Sequence, residues 1–290
     1  EDGYTFYKAP QSDDYQRKYQ WLIGSNQKFT FSANGAGDYT RANLSKESED
    51  GRADPEFVGD IYYDENFDSV GARWELFTDN GGYWSLAVSQ LKDSEIFTYG
   101  DGQYIDQSYQ EDFFRGYYQS NWFKNQKLTI GAEIRQFDFT YRFDFVPYFC
   151  TDHQQDCESQ RGDRVQDSST LKQSTNAFYM TNEWKVASDL DFELGIRGEY
   201  NDYTEEKIWM PRVAINWHAT ENLSLNAKAG RYTRFPDADT AIRLLGNPDI
   251  KSPLADHLSV GGKYHFSPVW KASIDLYAKK MSKLPLALSE

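Results

Sequence analysis

The feature that most constrains this chain is an alternation. In LSVGGKYHF, Leu258, Val260, Gly262, Tyr264 and Phe266 alternate with Ser259, Gly261, Lys263 and His265. After the turn SPVW, Ala272, Ile274, Leu276 and Ala278 alternate with Ser273, Asp275, Tyr277 and Lys279. Successive strand residues point to opposite faces, so each run is a strand with one apolar and one polar or charged face. The pattern recurs. Val70, Ala72, Trp74 and Leu76 oppose Arg73 and Glu75; after TDNGG, Trp84, Leu86 and Val88 oppose Ser85, Ala87 and Ser89. Leu128, Ile130, Ala132 and Ile134 oppose Thr129, Glu133 and Arg135, and Leu190, Phe192, Leu194 and Ile196 oppose Asp191, Glu193 and Arg197. Val213, Ile215, Trp217, Leu223, Leu225, Ala227 and Ala229 oppose Arg212, Asn216, Ser224, Asn226 and Lys228, and QWLIGSNQKFTFSA opens the series.

Six such hairpins give about 12 strands, each long enough to cross a bilayer at the usual tilt. Their tight turns fall near residues 25, 80, 125, 187, 220 and 268. Mostly longer polar linkers, 35–67, 93–111, 141–174 and 233–255, join one hairpin to the next, and only 201–209 is short. Short turns at one end and long loops at the other are the mark of an outer-membrane barrel. No run of about 18 apolar residues exists, which excludes a helical span. The opposite face, with Arg73, Glu75, Glu133, Arg135, Glu193, Arg197, Arg212 and Lys228, is too charged for a soluble core and suits a wet lumen. Phe77, Trp84, Trp122, Phe123, Trp184, Trp217, Phe266 and Trp270 gather at the tight-turn end, as an interfacial aromatic girdle would.

Composition agrees. Aromatic residues make up 17% of the chain against 39% for all hydrophobic residues, so it is rich in amphipathic rings and poor in core aliphatics. The net charge of −14 provides no clustered cations for phosphate and argues against a nucleic-acid partner. Cys150 and Cys157 lie close together in a polar stretch, the arrangement of a surface loop closed by a disulfide in an oxidising compartment, with two free thiols as the alternative.

One stretch carries a family likeness. In AGRYTRFPDADTAIRLLGNPDIKSPLADHLSVGGKY, Gly230, Arg231, Phe235, Pro236, Gly246, Asn247, Pro248, Asp249 and Gly261 occupy places at which the chain resembles the TonB-dependent outer-membrane receptors. KSPLADHLS departs from the family pattern, which more often reads Lys-Pro-Glu there. The resemblance implies a 22-stranded transmembrane β-barrel in the outer membrane of a Gram-negative bacterium, with a plug inside it. It also implies TonB-driven uptake of a scarce small-molecule ligand such as a ferric siderophore, cobalamin or a glycan. On this reading residues 1–290 are part of the barrel domain, with the plug and the segment that meets the TonB complex outside this chain. Outer-membrane lipid and lipopolysaccharide are the surrounding partners. A passive porin-like or adhesive barrel and a soluble extracellular β-protein are the rival readings.

No enzyme, cofactor or metal is expected. The histidines His153, His218, His257 and His265 are scattered, with neither a nucleophile elbow nor a zinc-binding helix motif. Asp64, Glu65 and Asp68 lack the ligand spacing of a calcium loop. Tyr99, Tyr104 and Tyr109 in one expected loop, and Tyr148 and Phe149 in another, offer rigid contact area for a ligand. Contacts to lipopolysaccharide, or loop packing, are equal alternatives for these rings.

Overall fold

The computed structural model describes residues 3–53, 55–149, 160–236 and 238–285. Twelve strands form one antiparallel sheet in which each pairs with its neighbours in chain order. They are β1 (Tyr4–Ile23), β2 (Gln27–Leu44), β3 (Gly59–Phe77), β4 (Tyr83–Tyr99), β5 (Gln103–Phe123), β6 (Gln126–Phe145), β9 (Val165–Ala187), β10 (Leu190–Asn201), β11 (Glu206–Trp217), β12 (Leu223–Thr233), β13 (Leu254–His265) and β14 (Lys271–Ser282). A separate two-stranded pair, β7 (Tyr148–Phe149) and β8 (Gln160–Arg161), lies between β6 and β9. Two short helices, α1 (Glu49–Ala53) and α2 (Ala238–Ala241), sit in the connections β2–β3 and β12–β13.

The six hairpin turns expected from the sequence all lie at one end. The β5–β6 turn is the tightest kind, Lys124 and Asn125 alone, with Asn125 in the left-handed region at φ 63°. Asn tolerates that conformation because its side chain can hydrogen-bond locally.

The other end differs from the sequence expectation. Residues 93–111 are not a loop: β4 and β5 run on and meet in the turn Gly100–Asp101–Gly102, with both glycines at positive φ. A Cβ on Gly100 would collide with the Glu56 carbonyl oxygen, so the close approach of the β2–β3 connection also requires glycine there. The expected linkers 35–67, 141–174 and 233–255 shrink in the same way, to 45–58, 146–164 and 234–253. The link at 201–209 contracts to the turn 202–205.

Strand length therefore divides the sheet. β1 to β6 and β9 have 17 to 23 residues, whereas β10 to β14 have 11 or 12. A tilted membrane strand needs about 9–11 residues, so the first group rises well beyond a bilayer and the second only spans it. The sheet has a tall wall and a short wall.

We call the face against which α2 lies inner, and the opposite face outer. In the rungs nearest the tight turns the outer face is apolar. One rung runs Phe31, Ala72, Val88, Phe114, Ile134 and the next Phe29, Trp74, Leu86, Gly116, Ala132. Higher on the tall wall the outer face turns polar: Val70, Gln90, Asp112, Gln136, then Asp68, Lys92, Gln110, Asp138, Lys172. The inner face undergoes the opposite change. Near the turns it carries ions; above them Phe137, Phe139, Tyr141, Phe143 and Phe145, alternate residues of β6, form an aromatic ladder.

A buried apolar cluster sits on this ladder. Phe139, Tyr141, Phe143 and Leu171 from the sheet pack with Ala241, Ile242 and Ile250 from the β12–β13 connection. That connection leans from the short wall onto the tall one.

Candidate functional site

The inner face has two zones, set by what each strand alternates. In the lower zone small or polar residues alternate with ions. Lys28 pairs with Glu75 at 2.7 Å, and Glu75 also accepts a 2.7 Å hydrogen bond from the Tyr83 hydroxyl. Glu133 sits between Arg115 at 3.2 Å and Arg197 at 2.6 Å, and Arg197 also holds Glu199 at 3.0 Å. The Tyr179 ring lies about equally far from the two guanidinium groups. Arg135 pairs with Glu111 at 3.6 Å. Arg73, Glu193, Arg212 and Lys228 share this face by register, opposite Thr30, Glu183, Gly195 and Ala214 respectively.

The upper zone is aromatic and acidic. Asp38, Glu65 and Glu95 stand side by side in one rung, with Asp93 on the next inward-facing rung and Glu111 on the one after it. The Tyr63 hydroxyl donates to Glu65, and that bond, with burial and the field of Glu65, Glu95 and Asp38, pushes its pKa up. Burial, followed by Glu65 and Glu95, raises the Asp93 carboxyl above its ordinary value. Burial likewise raises Tyr109, whose ring lies 5.7 Å from Phe137. On the far side Tyr141 donates to Asp167 at 3.1 Å, and Arg243 of the β12–β13 connection lies 3.8 Å from the same carboxylate. Such a wall can stack flat groups on its rings and accept hydrogen bonds from hydroxyl, amide or cationic donors.

The connection itself is fastened by its sequence. Asn247 accepts the Asp249 amide on its side chain and the Ile250 amide on its carbonyl, while its own amide donates to Thr240. The GNPDI stretch is thus a turn that aims Ile242 and Ile250 at the aromatic ladder. Glu206 staples the base: it accepts the Ser252 amide at 2.7 Å and pairs with Lys283 at 2.7 Å. Lys251 donates to the Thr204 carbonyl at 2.9 Å.

The tyrosines singled out from sequence stand differently from expectation, because their segment is strand and alternation distributes them. Tyr99 is buried, 6% exposed, and stacks on Phe57 at 4.6 Å, so it secures the β2–β3 connection. Tyr104 faces outward, with the Arg142 guanidinium 5.6 Å from its ring. Tyr109 alone faces into the upper zone. Tyr148 and Phe149 form β7, paired with Arg161 and Gln160, and their side chains lie outside the described residues. So do Cys150 and Cys157.

Of the aromatic residues at the tight-turn end, Trp84, Trp184 and Trp217 stand on the outer face, opposite Leu76, Phe192 and Leu190. Trp122 and Phe123 stack 6.3 Å apart beside the β5–β6 turn, both 64% exposed, and Phe266 and Trp270 flank the last turn. Phe77 departs from this set: it pairs with Tyr83 on the face of Glu75 and lies 4.8 Å from that ring.

Sequence reasoning did not single out the β6 ladder or its partners Ile242 and Ile250. The signal was present, since QFDFTYRFDF alternates aromatic and polar residues without a break, but its apolar phase is opposite to that of LTIGAEI just before it. Among the described residues no group of three His, Cys, Asp or Glu side chains is placed to hold a metal ion. Asp64 and Glu65, adjacent in β3, point to opposite faces.

Comparison with known proteins places this architecture. A family model described as TonB dependent receptor-like, beta-barrel matches residues 3–288. No curated protein matches the sequence. Among solved structures, the outer membrane transporter YddB from Escherichia coli superposes with a TM-score of 0.68 at 14% identity, over 88% of this chain and 38% of that one. The siderophore receptor PirA from Acinetobacter baumannii gives 0.69 at 15% identity, over 94% and 43%. A mutant of the ferric enterobactin receptor PfeA from Pseudomonas aeruginosa gives 0.69 at 13%, over 94% and 42%. The chain spans less than half the length of each.

Proposed function

The chain belongs to the TonB-dependent receptor β-barrel family, and from that premise we propose that it walls an outer-membrane receptor for TonB-driven active uptake of a scarce ligand in a Gram-negative bacterium. A ferric siderophore is the first candidate, because PirA and PfeA are named for such ligands; cobalamin and glycans follow. The observation that carries the reading is the two-zone inner face. An aromatic and acidic upper wall, covered by docked connections, stands above a bore lined with paired ions. In this role Tyr109 and the β6 ladder face the incoming ligand. Arg73, Glu75, Glu133, Arg135, Glu193, Arg197, Arg212 and Lys228 line the wet interior, where such charges cost little. The outward tryptophans mark the periplasmic rim.

A passive pore is the rival, and energy dependence separates the two. In a deletion strain offered a panel of iron chelates, cobalamin and glycans, restoring the gene restores saturable uptake of one of them. That uptake is lost when TonB is also deleted. Unsaturable uptake that persists without TonB overturns the proposal in favour of the pore.

A further inference from the structure

Above the rung of Arg135 the inner face of the tall wall carries charge of one sign. By register, β2 to β6 and β9 place Asp38, Glu65, Asp93, Glu95, Glu111 and Asp167 there, and no lysine or arginine. Two of these carboxylates receive a cation from elsewhere in the chain. Arg135 pairs with Glu111 from below, and Arg243 approaches Asp167 from the β12–β13 connection. Among the described residues no cation pairs with Asp38, Glu65, Asp93 or Glu95. Carboxylates gathered on one concave wall focus a field that draws cations in and turns anions away.

The rungs give that field a shape. On one inward-facing rung Phe67, Asp93, Tyr109 and Phe139 follow one another across β3 to β6, so Asp93 stands between two aromatic residues. Glu65 and Glu95 stand side by side on the rung above. Tyr109 packs against the buried cluster of the β6 ladder, which holds its ring in place. Gln107 donates to Glu95 and the Tyr63 hydroxyl to Glu65, which orients both carboxylates without neutralising either. Burial, then Glu65 and Glu95, hold the Asp93 carboxyl above its ordinary value, as expected of a carboxylate crowded by like charge. One inward-facing rung higher, opposite Tyr63, the Thr40 hydroxyl oxygen is buried without a hydrogen-bond partner. A carboxylate flanked by aromatic rings is the chemistry that holds an alkylammonium group, through charge on one side and the rings on the others.

We propose that Asp93, Glu65 and Glu95, with Phe67 and Tyr109, form a subsite for an alkylammonium arm, so that the ligand drawn into this barrel is a cationic metal chelate and not a polyanionic one. The inference rests on the uptake reading above and narrows it. A ferric trihydroxamate core is neutral, because its hydroxamate charges balance those of the ferric ion, and a pendant amine makes the whole chelate cationic. The unpartnered Thr40 hydroxyl offers a hydrogen bond to an amide of such a chelate. A ferric tris-catecholate carries three negative charges and is repelled by the same carboxylates.

The test uses the full-length receptor in detergent and reads the quenching of its tyrosine and tryptophan fluorescence by four chelates. Ferrioxamine B, a trihydroxamate with one ammonium group, shares its ferric core with its neutral N-acetyl and anionic N-succinyl derivatives. Ferric enterobactin supplies the tris-catecholate. Affinity is expected to fall about tenfold from the ammonium to the N-acetyl form, equivalent to about 1.4 kcal/mol, and about tenfold again to the N-succinyl form, with ferric enterobactin weakest. Asp93→Asn/Glu95→Gln brings the ammonium and N-acetyl forms to within about twofold of each other. Asp93→Asn alone narrows the gap and serves if the double variant does not fold. Asp138→Asn, which removes one charge from the outer face of the same wall, leaves the series unchanged. Tighter binding of ferric enterobactin or of the N-succinyl form than of the ammonium form overturns the inference. So does the absence of quenching by all four, or an unaltered series in the Asp93 variants. TonB-dependent uptake in cells is scored separately. Uptake of polyanionic chelates alone keeps the receptor and overturns the subsite, whereas the charge order without TonB-dependent uptake keeps the subsite and overturns the receptor.

Discussion

At the scale of single residues, Arg197 carries the most connected charge of the inner face. Its side chain is 20% exposed and serves two carboxylates, Glu133 and Glu199, which are 16% and 17% exposed. Removing it strands Glu199, while Glu133 retains Arg115. A half-buried carboxylate left unpaired costs more than the ion pair gains, because desolvation is not returned. Arg197→Met is expected to destabilise the folded barrel by about 1–2 kcal/mol, the wet setting discounting the larger figure for fully buried pairs. The double variant Arg197→Met/Glu199→Met recovers most of that loss, and urea unfolding in detergent measures both. Asp93 is the second residue of interest. Its folded-state carboxyl holds a proton more tightly than an ordinary aspartate near 3.8, because of burial and then Glu65 and Glu95. The folded state therefore binds more protons than the unfolded one in the window opening at that value, and stability falls as pH rises through it. Asp93→Asn removes this step, so the variant melts at a higher temperature than wild type at pH 7 and the two converge near pH 3.

At the scale of elements, the β6 strand shows what was legible and what was not. Its lower half was readable, since Leu128, Ile130, Ala132 and Ile134 share the outer face while Glu133 and Arg135 share the inner one. Above Gln136 the surroundings exchange places. The outer face leaves lipid for water, the inner face is covered by α2 and its flanks, and apolar residues move from even to odd positions. A reading that follows one apolar phase stops where the phase inverts and takes the remainder for a loop. For the same reason Tyr99 and Tyr104 looked like loop residues, whereas the tight-turn end, where lipid and bore keep their sides, was readable hairpin by hairpin. The β12–β13 connection was legible as a motif but not as a packed element, because its anchors Ile242 and Ile250 have partners more than 70 residues away. Ile242 is 8% exposed, so Ile242→Ala is expected to weaken docking of the connection by about 2–3 kcal/mol. Hydrogen exchange of amides 242–252 then speeds up by about 30- to 150-fold while that of β10 and β11 stays unchanged. Cutting the polar staple with Glu206→Gln gives a smaller acceleration confined to the base, where Ser252 and Lys283 meet that carboxylate.

At the scale of the molecule, the placement of the bilayer follows from the register. One outer rung runs Leu128, Asn182, Leu194, Val213, Ala229, Leu258, Ala278. It begins two residues above the β5–β6 turn and ends seven residues above the β13–β14 turn. Rungs that climb relative to the turns from strand to strand are what tilted, staggered barrel strands require. The rung is apolar throughout except at Asn182 and crosses both walls, so the short wall spans the membrane while the tall wall projects beyond it on the side away from the turns. Leu194 lies on this rung and is 55% exposed in the chain taken alone. In a water-soluble sheet an arginine at so open a position would be nearly neutral, and both neighbours on β10 would tolerate it alike. In a membrane wall the two faces separate sharply. Leu194→Arg puts a guanidinium in hydrocarbon and costs about 2–4 kcal/mol near the bilayer midplane, whereas Glu193→Arg on the wet face costs little. Reversible urea unfolding from phospholipid vesicles reads the difference. A large loss for Leu194→Arg beside a small one for Glu193→Arg fixes the apolar face against lipid, and equal small losses for both would remove the membrane from the account of this fold.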